Sequence, residues 1–400
     1  MNRKFFRLYL LLLTLVAMIY LVGCEADNPP SIFDPNAQGK PAPEITQIIP
    51  ESRTLAGIGE IKIIGKNFSS VKEENFVFFG KNKVDVLEAS ATELKLKSPN
   101  TPADSISIKI AVRGADLFSN TIKYRLEQAV WEFGGYGEYD DIYAMTMDKD
   151  NNLYVAQVTR KVEKVTPAGV RSDYGTMPFI KASGMKMGAN GELYLARLTT
   201  ALYKIPSGGG AAAKWKDAPG KISDFDFSAS GMMYAGGNNN DLYRLKPDGS
   251  GASVASYPDV NIKAIRVFNG YVYVGGKENA TGKPYVWRNQ IISDDQLGTR
   301  EVYFDWSAKI PGTSEVLSIT FAKDGTMYLG TDAAEAIVVV NPDGSHSGLY
   351  PGVIEPTSYY MVWDNSQYLY VNRRNDLDLT RRRMIKLNMF KEGAPYYGRQ

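Results

Sequence analysis

The feature that most constrains this chain is a short motif that recurs six times after residue 128. The motif is an apolar residue, a tyrosine and another apolar or small residue, often followed by alanine or glycine. Its central tyrosines are Tyr154, Tyr194, Tyr234, Tyr273, Tyr328 and Tyr370. Consecutive tyrosines are separated by 40, 40, 39, 55 and 42 residues. Such a period is typical of a four-stranded blade, so the repeats predict a six-bladed β-propeller.

Polar turns support this prediction, because each motif follows a segment rich in Asn, Asp or Gly, such as Asn190-Gly191 and Asn269-Gly270. These residues accept positive φ at low cost and are typical of hairpins. The form of the repeats over residues 129–400 resembles a six-bladed NHL-type propeller. We expect residues 129–133, which have no blade of their own, to complete the last blade as its outer strand.

A different pattern covers residues 43–126, where short strands of alternating polarity are separated by turns. This pattern predicts an antiparallel sandwich. The segments Ile48-Ile49-Pro50, Ile61 to Phe68 and Val77 to Gly80 resemble the IPT/TIG family of immunoglobulin-like domains. The resemblance implies a spacer or a protein-contact module. The expected fold class is therefore all-β, with an immunoglobulin-like sandwich followed by a six-bladed propeller.

The amino terminus has the pattern of a secretion signal. Basic residues precede an apolar run from Leu8 to Val22, and residues 1–23 are expected to be a signal peptide. The segment Leu21-Val22-Gly23-Cys24 resembles a bacterial lipobox, which implies that Cys24 is lipidated and anchors the protein in a membrane. Residues 24–42 are rich in proline and have the composition of a tether. In enteric bacteria an Asp directly after the lipidated cysteine favours retention in the inner membrane. Here that position is Glu25, so the outer membrane is the expected location.

Charge and composition narrow the classes of function. The formal net charge is +2, and the basic residues form no broad patch, so we expect no nucleic-acid partner. The chain has one cysteine and one histidine, His346, so the usual zinc sites built from His and Cys are excluded. A metal site made of oxygen ligands stays open. We expect no cofactor.

Candidate ligand-binding residues lie in the loops that join the second and third strands of each blade, and in the connections between blades. These loops share one face of the propeller, near the mouth of its central channel. Their polar residues would suit a polar ligand such as a glycan. Blade four also carries an insertion within residues 288–312, and its Trp306 is expected to be an exposed stacking residue. The candidates are Asp141, Asn238, Asn239, Trp306, Asp332 and Arg373.

These patterns favour a binding protein over an enzyme, because no nucleophile and base stand at a recognisable spacing. We expect an envelope lipoprotein whose propeller binds a polysaccharide or a protein partner. One alternative is a metal-dependent hydrolase or lyase, which would need oxygen ligands such as Asp141, Asn239 and Asp332 to meet. Another alternative is a structural component of the envelope.

Overall fold

Two groups of β-sheets make up the computed structural model, which describes residues 39–238, 241–310, 312 and 314–399. The expected all-β class, a sandwich followed by a six-bladed propeller, is confirmed. The signal peptide, Cys24 and most of the tether lie outside the described residues. Within those residues, no helix is long and apolar enough to span a membrane.

The first group is a sandwich of two sheets. In spatial order, the strands of the first sheet are Glu44–Ile49, Glu60–Lys66, Glu93–Lys97 and Val86–Ala89. Those of the second are Arg53–Leu55, Ile122–Glu127, Ala103–Val112, Asn75–Phe79 and Asn82–Val84. Alternate side chains, such as Ile61 and Ile63 of one sheet and Val77 and Phe79 of the other, are fully buried between them. This two-residue period is what a sheet with one buried face requires.

The second group is the propeller, and its six sheets are the blades. In each blade the first strand lies at the central channel, and the following antiparallel strands lie successively farther from it. The strands are: blade 1, Ile142–Met147, Leu153–Gln157, Lys161–Val165 and Arg171–Thr176; blade 2, Gly184–Met187, Leu193–Ala196, Ala201–Ile205 and Ala213–Asp217; blade 3, Asp224–Phe227, Met233–Gly236, Leu242–Leu245 and Gly251–Ala255; blade 4, Val260–Phe268, Tyr271–Glu278, Pro284–Ser293 and Glu301–Phe304; blade 5, Val316–Phe321, Met327–Thr331, Ile337–Val340 and His346–Gly348; blade 6, Tyr360–Trp363, Tyr368–Arg373, Arg383–Asn388 and Val130–Glu132.

Short elements lie outside these strands. Gly210–Ala211 pairs with the outer strand of blade 1, and Gln296–Leu297 pairs with the third strand of blade 4. One α-helical turn, Trp306–Lys309, follows blade 4. The 3-10 turns are Lys72–Glu74, Leu379–Arg381 and Tyr397–Arg399.

Residues from before blade 1 close the ring. Val130–Glu132 pairs antiparallel with Arg383–Asn388, placing Val130 opposite Leu387 and Glu132 opposite Ile385. The prediction that residues 129–133 complete the last blade is confirmed. Only Gln128 and Ala129 separate this closing strand from the last strand of the sandwich.

The strands of each blade alternate in direction, so the connecting segments fall on two faces. We call one the turn face, because it carries the tight turns between first and second strands and between third and fourth strands. The other is the loop face, which carries the loops between second and third strands and the connections between blades. The predicted binding residues belong to the loop face.

The sandwich contacts the propeller where blade 6 reaches the turn face. Asn388 Nδ2 donates a hydrogen bond to Glu127 Oε2 at 3.0 Å, and Arg53 pairs with the same carboxylate at 2.8 Å. The Arg53 guanidinium also lies 5.1 Å from the centre of the Phe390 ring. The two domains are therefore joined by side-chain contacts as well as by a short linker.

Candidate functional site

The central channel is filled by charged side chains that bond to one another. Lys186 Nζ lies 3.0 Å from Asp224 Oδ1 and 2.5 Å from the Tyr360 hydroxyl. Asp224 Oδ2 also accepts the backbone N–H of Ile265 at 2.9 Å, so this carboxylate links blades 2, 3 and 4. Burial alone would lower the pKa of Lys186, but the neighbouring Asp224, Tyr360 and Asp226 together outweigh it and the pKa is raised. The amine therefore stays a cation that holds the blades together.

A second pair lies nearer the turn face. Asp226 Oδ2 accepts the backbone N–H of Val267 at 2.9 Å and lies 3.5 Å from an Arg266 nitrogen. Arg266 Nε donates to the Ile319 carbonyl at 3.0 Å. The space left around Lys186, Arg266 and Arg399 is about 20 Å³, which is room for about one water.

Residues 389–399, which we call the capping segment, close the turn-face mouth of the channel. The Tyr396 hydroxyl accepts the backbone N–H of Phe321 at 2.8 Å, and the Arg266 guanidinium lies 4.4 Å from the centre of its ring. Arg399 donates to the carbonyl oxygens of Trp363, Asp364 and Ala394. Burial lowers the pKa of Arg399 to about 10. The cap thus bonds to blades 5 and 6 while it covers the channel.

On the loop face, Asp141 is already bonded. Its Oδ1 accepts from Arg374 Nε at 2.8 Å, and its Oδ2 accepts from the Tyr143 hydroxyl at 3.2 Å. The Arg374 guanidinium lies between two rings, 4.4 Å from the centre of Tyr143 and 5.2 Å from that of Tyr359. Burial alone would lower the pKa of Arg374, but Asp141, with smaller contributions from Tyr143 and Asp376, raises the pKa above its ordinary value. This cluster fastens the long loop of blade 6 to blade 1.

The other loop-face candidates are spread around the ring. Asp332 Oδ1 accepts the backbone N–H of Glu315 at 2.7 Å, and Arg373 pairs with Glu355 at 2.5 Å. Asn238 is exposed and forms a bridge to Asn261, while Asn239 lies outside the described residues. No hydrogen bond or ion pair in the described chain joins Asp141, Asp332 and Arg373 to one another. That these residues bind a ligand stays a prediction.

The expectation that Trp306 is exposed is wrong. Its side chain is 0% exposed and packs among Phe304, Val316 and Val338. Its Nε1 donates a hydrogen bond to the Ser314 hydroxyl at 3.0 Å. The insertion folds back over blade 4 because its short helix buries this ring. A tryptophan in an insertion can thus be a core residue.

A cavity of about 700 Å³ opens on the turn face, between blades 3, 4 and 5 and the capping segment. We call it the turn-face cleft. The residues that line it are Phe227 to Ser230, Val267 to Gly270, Ile291, Asp294, Lys323 to Gly325, and Pro395 to Tyr397. Ile291 and Asp294 come from the strand and turn that begin the blade-four insertion. The volume lies within the range of small-molecule sites, about 300–1,000 Å³.

Aromatic rings form much of the cleft wall. One face of the half-buried Phe268 ring stacks on Phe321, with centroids 4.5 Å apart and an interplanar angle of 11°. The ring of Tyr397 packs against that of Phe227, with centroids 5.2 Å apart. Its hydroxyl lies close to the blade-three turn, where a Cβ on Gly231 would be 2.7 Å from the hydroxyl oxygen. Gly231 also has a φ of +82°, so both space and backbone favour glycine there.

The ionic groups at the cleft rim are paired. Lys323 lies 2.7 Å from Glu392, and Lys391 lies 2.8 Å from Asp324. Asp294 Oδ1 accepts from the Ser230 hydroxyl at 2.7 Å, and its carboxylate is exposed. The rim therefore carries one carboxylate without a cationic partner in the described chain.

A smaller cavity of about 470 Å³ lies on the same face, between the turns of blades 1 and 2. For metal ions, no group of three or more His, Cys, Asp or Glu residues is close enough to form a site in the ranges that the structure covers.

Sequence reasoning missed the capping segment and the cleft. The segment follows the last recognisable strand and has no repeat pattern, so nothing marked it as part of the ring. Its one signal is the pair Tyr396-Tyr397 after Pro395, an aromatic concentration that is unusual in a solvated tail.

Fold and site define a two-domain, all-β protein with a capped propeller. Residues 43–125 match the IPT/TIG domain, which confirms the resemblance seen in the sequence. No curated protein sequence matches the chain.

Solved structures share this architecture at low identity. An auxiliary nutrient binding protein from Bacteroides thetaiotaomicron is 13% identical, with a TM-score of 0.50, and the match covers 88% of this chain and 98% of that one. A putative phosphatase from the same organism is 13% identical, with a TM-score of 0.57, over 89% and 98% of the two chains. Regucalcin, a calcium-binding protein from Agrobacterium tumefaciens, is 14% identical, with a TM-score of 0.52, over 65% and 96%. These matches establish the fold alone.

Proposed function

We propose that this chain is a non-catalytic binding protein of the bacterial cell envelope, whose propeller binds a polysaccharide or an envelope protein. The turn-face cleft carries the proposal, because it combines an accessible volume of about 700 Å³ with aromatic walls and polar turn residues. The channel supports it too, since its charged groups are bonded to one another and leave about 20 Å³. The fold match to auxiliary nutrient binding proteins along nearly their whole length agrees with a binding role.

We also propose where the protein is located in the cell. Lipid chains on Cys24 anchor the protein in the outer membrane, residues 24–42 act as a tether, and the IPT/TIG domain is a spacer that holds the propeller away from the bilayer. Cells that express the full chain are fed an alkyne fatty acid, and the membranes are fractionated. The wild type should be labelled and sediment with the outer membrane, whereas Cys24→Ser should be unlabelled. Equal labelling of both would contradict lipidation at Cys24.

Binding is tested with the full chain purified in detergent. Isothermal titration against soluble starch, xylan, mannan and polygalacturonate should give saturable binding to at least one polysaccharide. The same samples, with calcium, magnesium, manganese or zinc added, are assayed for new reducing ends and for unsaturated products. We expect neither product. Metal-dependent turnover would instead support the hydrolase or lyase alternative. If none of the four polysaccharides binds, the proposal that the ligand is a polysaccharide is wrong.

A further inference from the structure

We infer that the turn-face cleft binds a short neutral oligosaccharide, and that Asn269, Asp294 and Tyr397 hydrogen-bond to its hydroxyl groups beside the ring of Phe268. The inference rests on the proposed function and gives it a site and a ligand class. The site lies on the face opposite the loops that the sequence favours.

The cleft holds polar groups that have no partner within the described chain. The Tyr397 hydroxyl and the side-chain amide of Asn269 make no hydrogen bond to any described part of the chain. Asn269 is exposed at the tip of the blade-four turn, with a φ of +47°. Asp294 has one oxygen bonded to Ser230 and the other open to solvent. A phenol, an amide and a carboxylate together can both donate to and accept from a hydroxyl-rich ligand.

The apolar wall of the cleft also suits a sugar. Phe321 holds one face of Phe268, so the ring is fixed in orientation and its other face borders the cleft. Sugar rings have C–H faces that pack on such a surface while their hydroxyls project to the sides. A wholly apolar ligand would instead remove water from the Asp294 carboxylate without giving it a partner, which is costly.

Charge also favours a neutral ligand. Lys323 and Lys391 pair with Glu392 and Asp324, and Arg244 and Lys246 pair with the neighbouring Asp295, so Asp294 is the cleft carboxylate without an ion pair in the described chain. A ligand carboxylate placed against Asp294, as in an oligogalacturonate, would therefore be repelled. A neutral ligand is favoured over an acidic one.

The capping segment supplies Tyr397 and Pro395, so the site exists only when this segment lies across the channel. The hydrogen bonds of Tyr396 and Arg399 to blades 5 and 6 hold it there. Recognition thus depends on residues from blade 4 and the cap, and the ring of Tyr397 is already held against Phe227.

The test compares two pairs of substitutions that make the same chemical changes on opposite faces. The cleft pair is Asn269→Ala with Tyr397→Phe. The loop-face pair is Asn279→Ala with Tyr139→Phe, where Tyr139 is 91% exposed and Asn279 is an exposed loop residue. Full-length protein in detergent is titrated calorimetrically with maltoheptaose, cellohexaose, xylohexaose, mannohexaose and hexagalacturonate. Thermal unfolding checks that both pairs are folded.

We expect the wild type to bind at least one neutral oligosaccharide and not hexagalacturonate. The cleft pair should weaken that binding about 10- to 100-fold, because two hydrogen bonds to the ligand are lost. The loop-face pair should bind as the wild type does. Asp294→Asn keeps the shape of the cleft, and it should weaken the neutral ligand while making hexagalacturonate less unfavourable.

Three results overturn the inference. Wild-type affinity in the cleft pair, with or without a loss in the loop-face pair, places the ligand elsewhere and leaves the proposed binding function standing. Preference for hexagalacturonate contradicts the neutral ligand class. Absence of binding to every oligosaccharide and to the polysaccharides named above removes the inference together with the carbohydrate-binding function.

Discussion

On the loop face, Asp141, Tyr143 and Arg374 are bonded to one another, whereas on the turn face the side chains of Asn269 and Tyr397 have no hydrogen-bond partner in the described structure. Both faces are rich in polar residues, and the loop face has the longer loops. Long loops of a propeller need internal fastening, and their charged residues supply it. Several short turns are also held by their own side chains, since Asp148, Asp248 and Asp364 accept backbone N–H groups of their turns, but the side chain of Asn269 is not used in this way. The density of polar residues in a sequence therefore does not tell which face is open to a ligand.

The two faces are separate because a bonded network of charged side chains lies in the channel between them. Lys186→Met would leave the Asp224 carboxylate buried without its cation, and we expect it to lower the free energy of unfolding by about 3–5 kcal/mol. Urea unfolding of the full chain measures this. The double variant Lys186→Met/Asp224→Asn should recover much of the loss, since the amide can still accept the N–H of Ile265. A single variant as stable as the wild type would mean that the network does not hold the blades.

A substitution at Trp306 tests whether this residue contributes to stability or to ligand binding. Trp306→Phe should lower the free energy of unfolding by about 1–3 kcal/mol, because it leaves a small cavity and removes the hydrogen bond to Ser314. Oligosaccharide affinity should stay within about twofold of the wild type. If affinity fell while stability held, Trp306 would be the exposed stacking residue that the sequence suggested.

A substitution at Arg374 tests whether the bonded cluster on the loop face stabilises the fold. Arg374→Gln should lower the free energy of unfolding by about 1–2 kcal/mol, because the guanidinium is only 11% exposed and both Asp141 and the two flanking rings lose contacts. Arg381→Gln is the matched control, since Arg381 is 52% exposed and pairs with Asp378 at the surface. It should change stability by less than about 0.5 kcal/mol. Equal effects would mean that the Arg374 cluster is as loosely held as the surface pair.

The smallest effect is expected next to the cleft. The Tyr234 hydroxyl is buried and has no hydrogen-bond partner among the residues that the structure describes, so Tyr234→Phe should leave stability at neutral pH unchanged or slightly higher. Burial raises the pKa of Tyr234 to about 12, while an unfolded tyrosine ionises near pH 10. Between about pH 10 and 12 the unfolded state therefore loses its proton first, and the wild type loses stability as pH rises. Urea unfolding at pH 7 and pH 11 should show a smaller alkaline loss in the variant, and an equal loss would contradict the raised pKa.

Much of the fold is readable from the sequence, because a blade is a local unit. The Tyr-centred strands and the hairpin turns are each fixed by neighbouring residues, and the IPT/TIG motif is local as well. The closing strand at 129–133 pairs with distant residues, but it is predictable because it precedes the first full repeat and has no blade of its own. The site is not readable in this way. Trp306 is buried by a helix that no repeat predicts, and the pairing of Asp141 with Arg374 joins residues from the first and last blades. The cap comes after the last repeat, and its position depends on contacts with blades 5 and 6 that no spacing reveals.

The closing strand also has a mechanical consequence. It begins two residues after the sandwich ends, so tension applied through the sandwich passes directly into the strand that seals the ring. The hydrogen bonds between Val130–Glu132 and Arg383–Asn388 are then the first in the propeller to bear load, assisted by the contact of Glu127 with Asn388. A sandwich tethered at one end and a propeller held at the other would pull on this seam. Because so few residues join the two domains, a force that stretches the molecule also pulls the closing strand away from blade 6 and opens the ring.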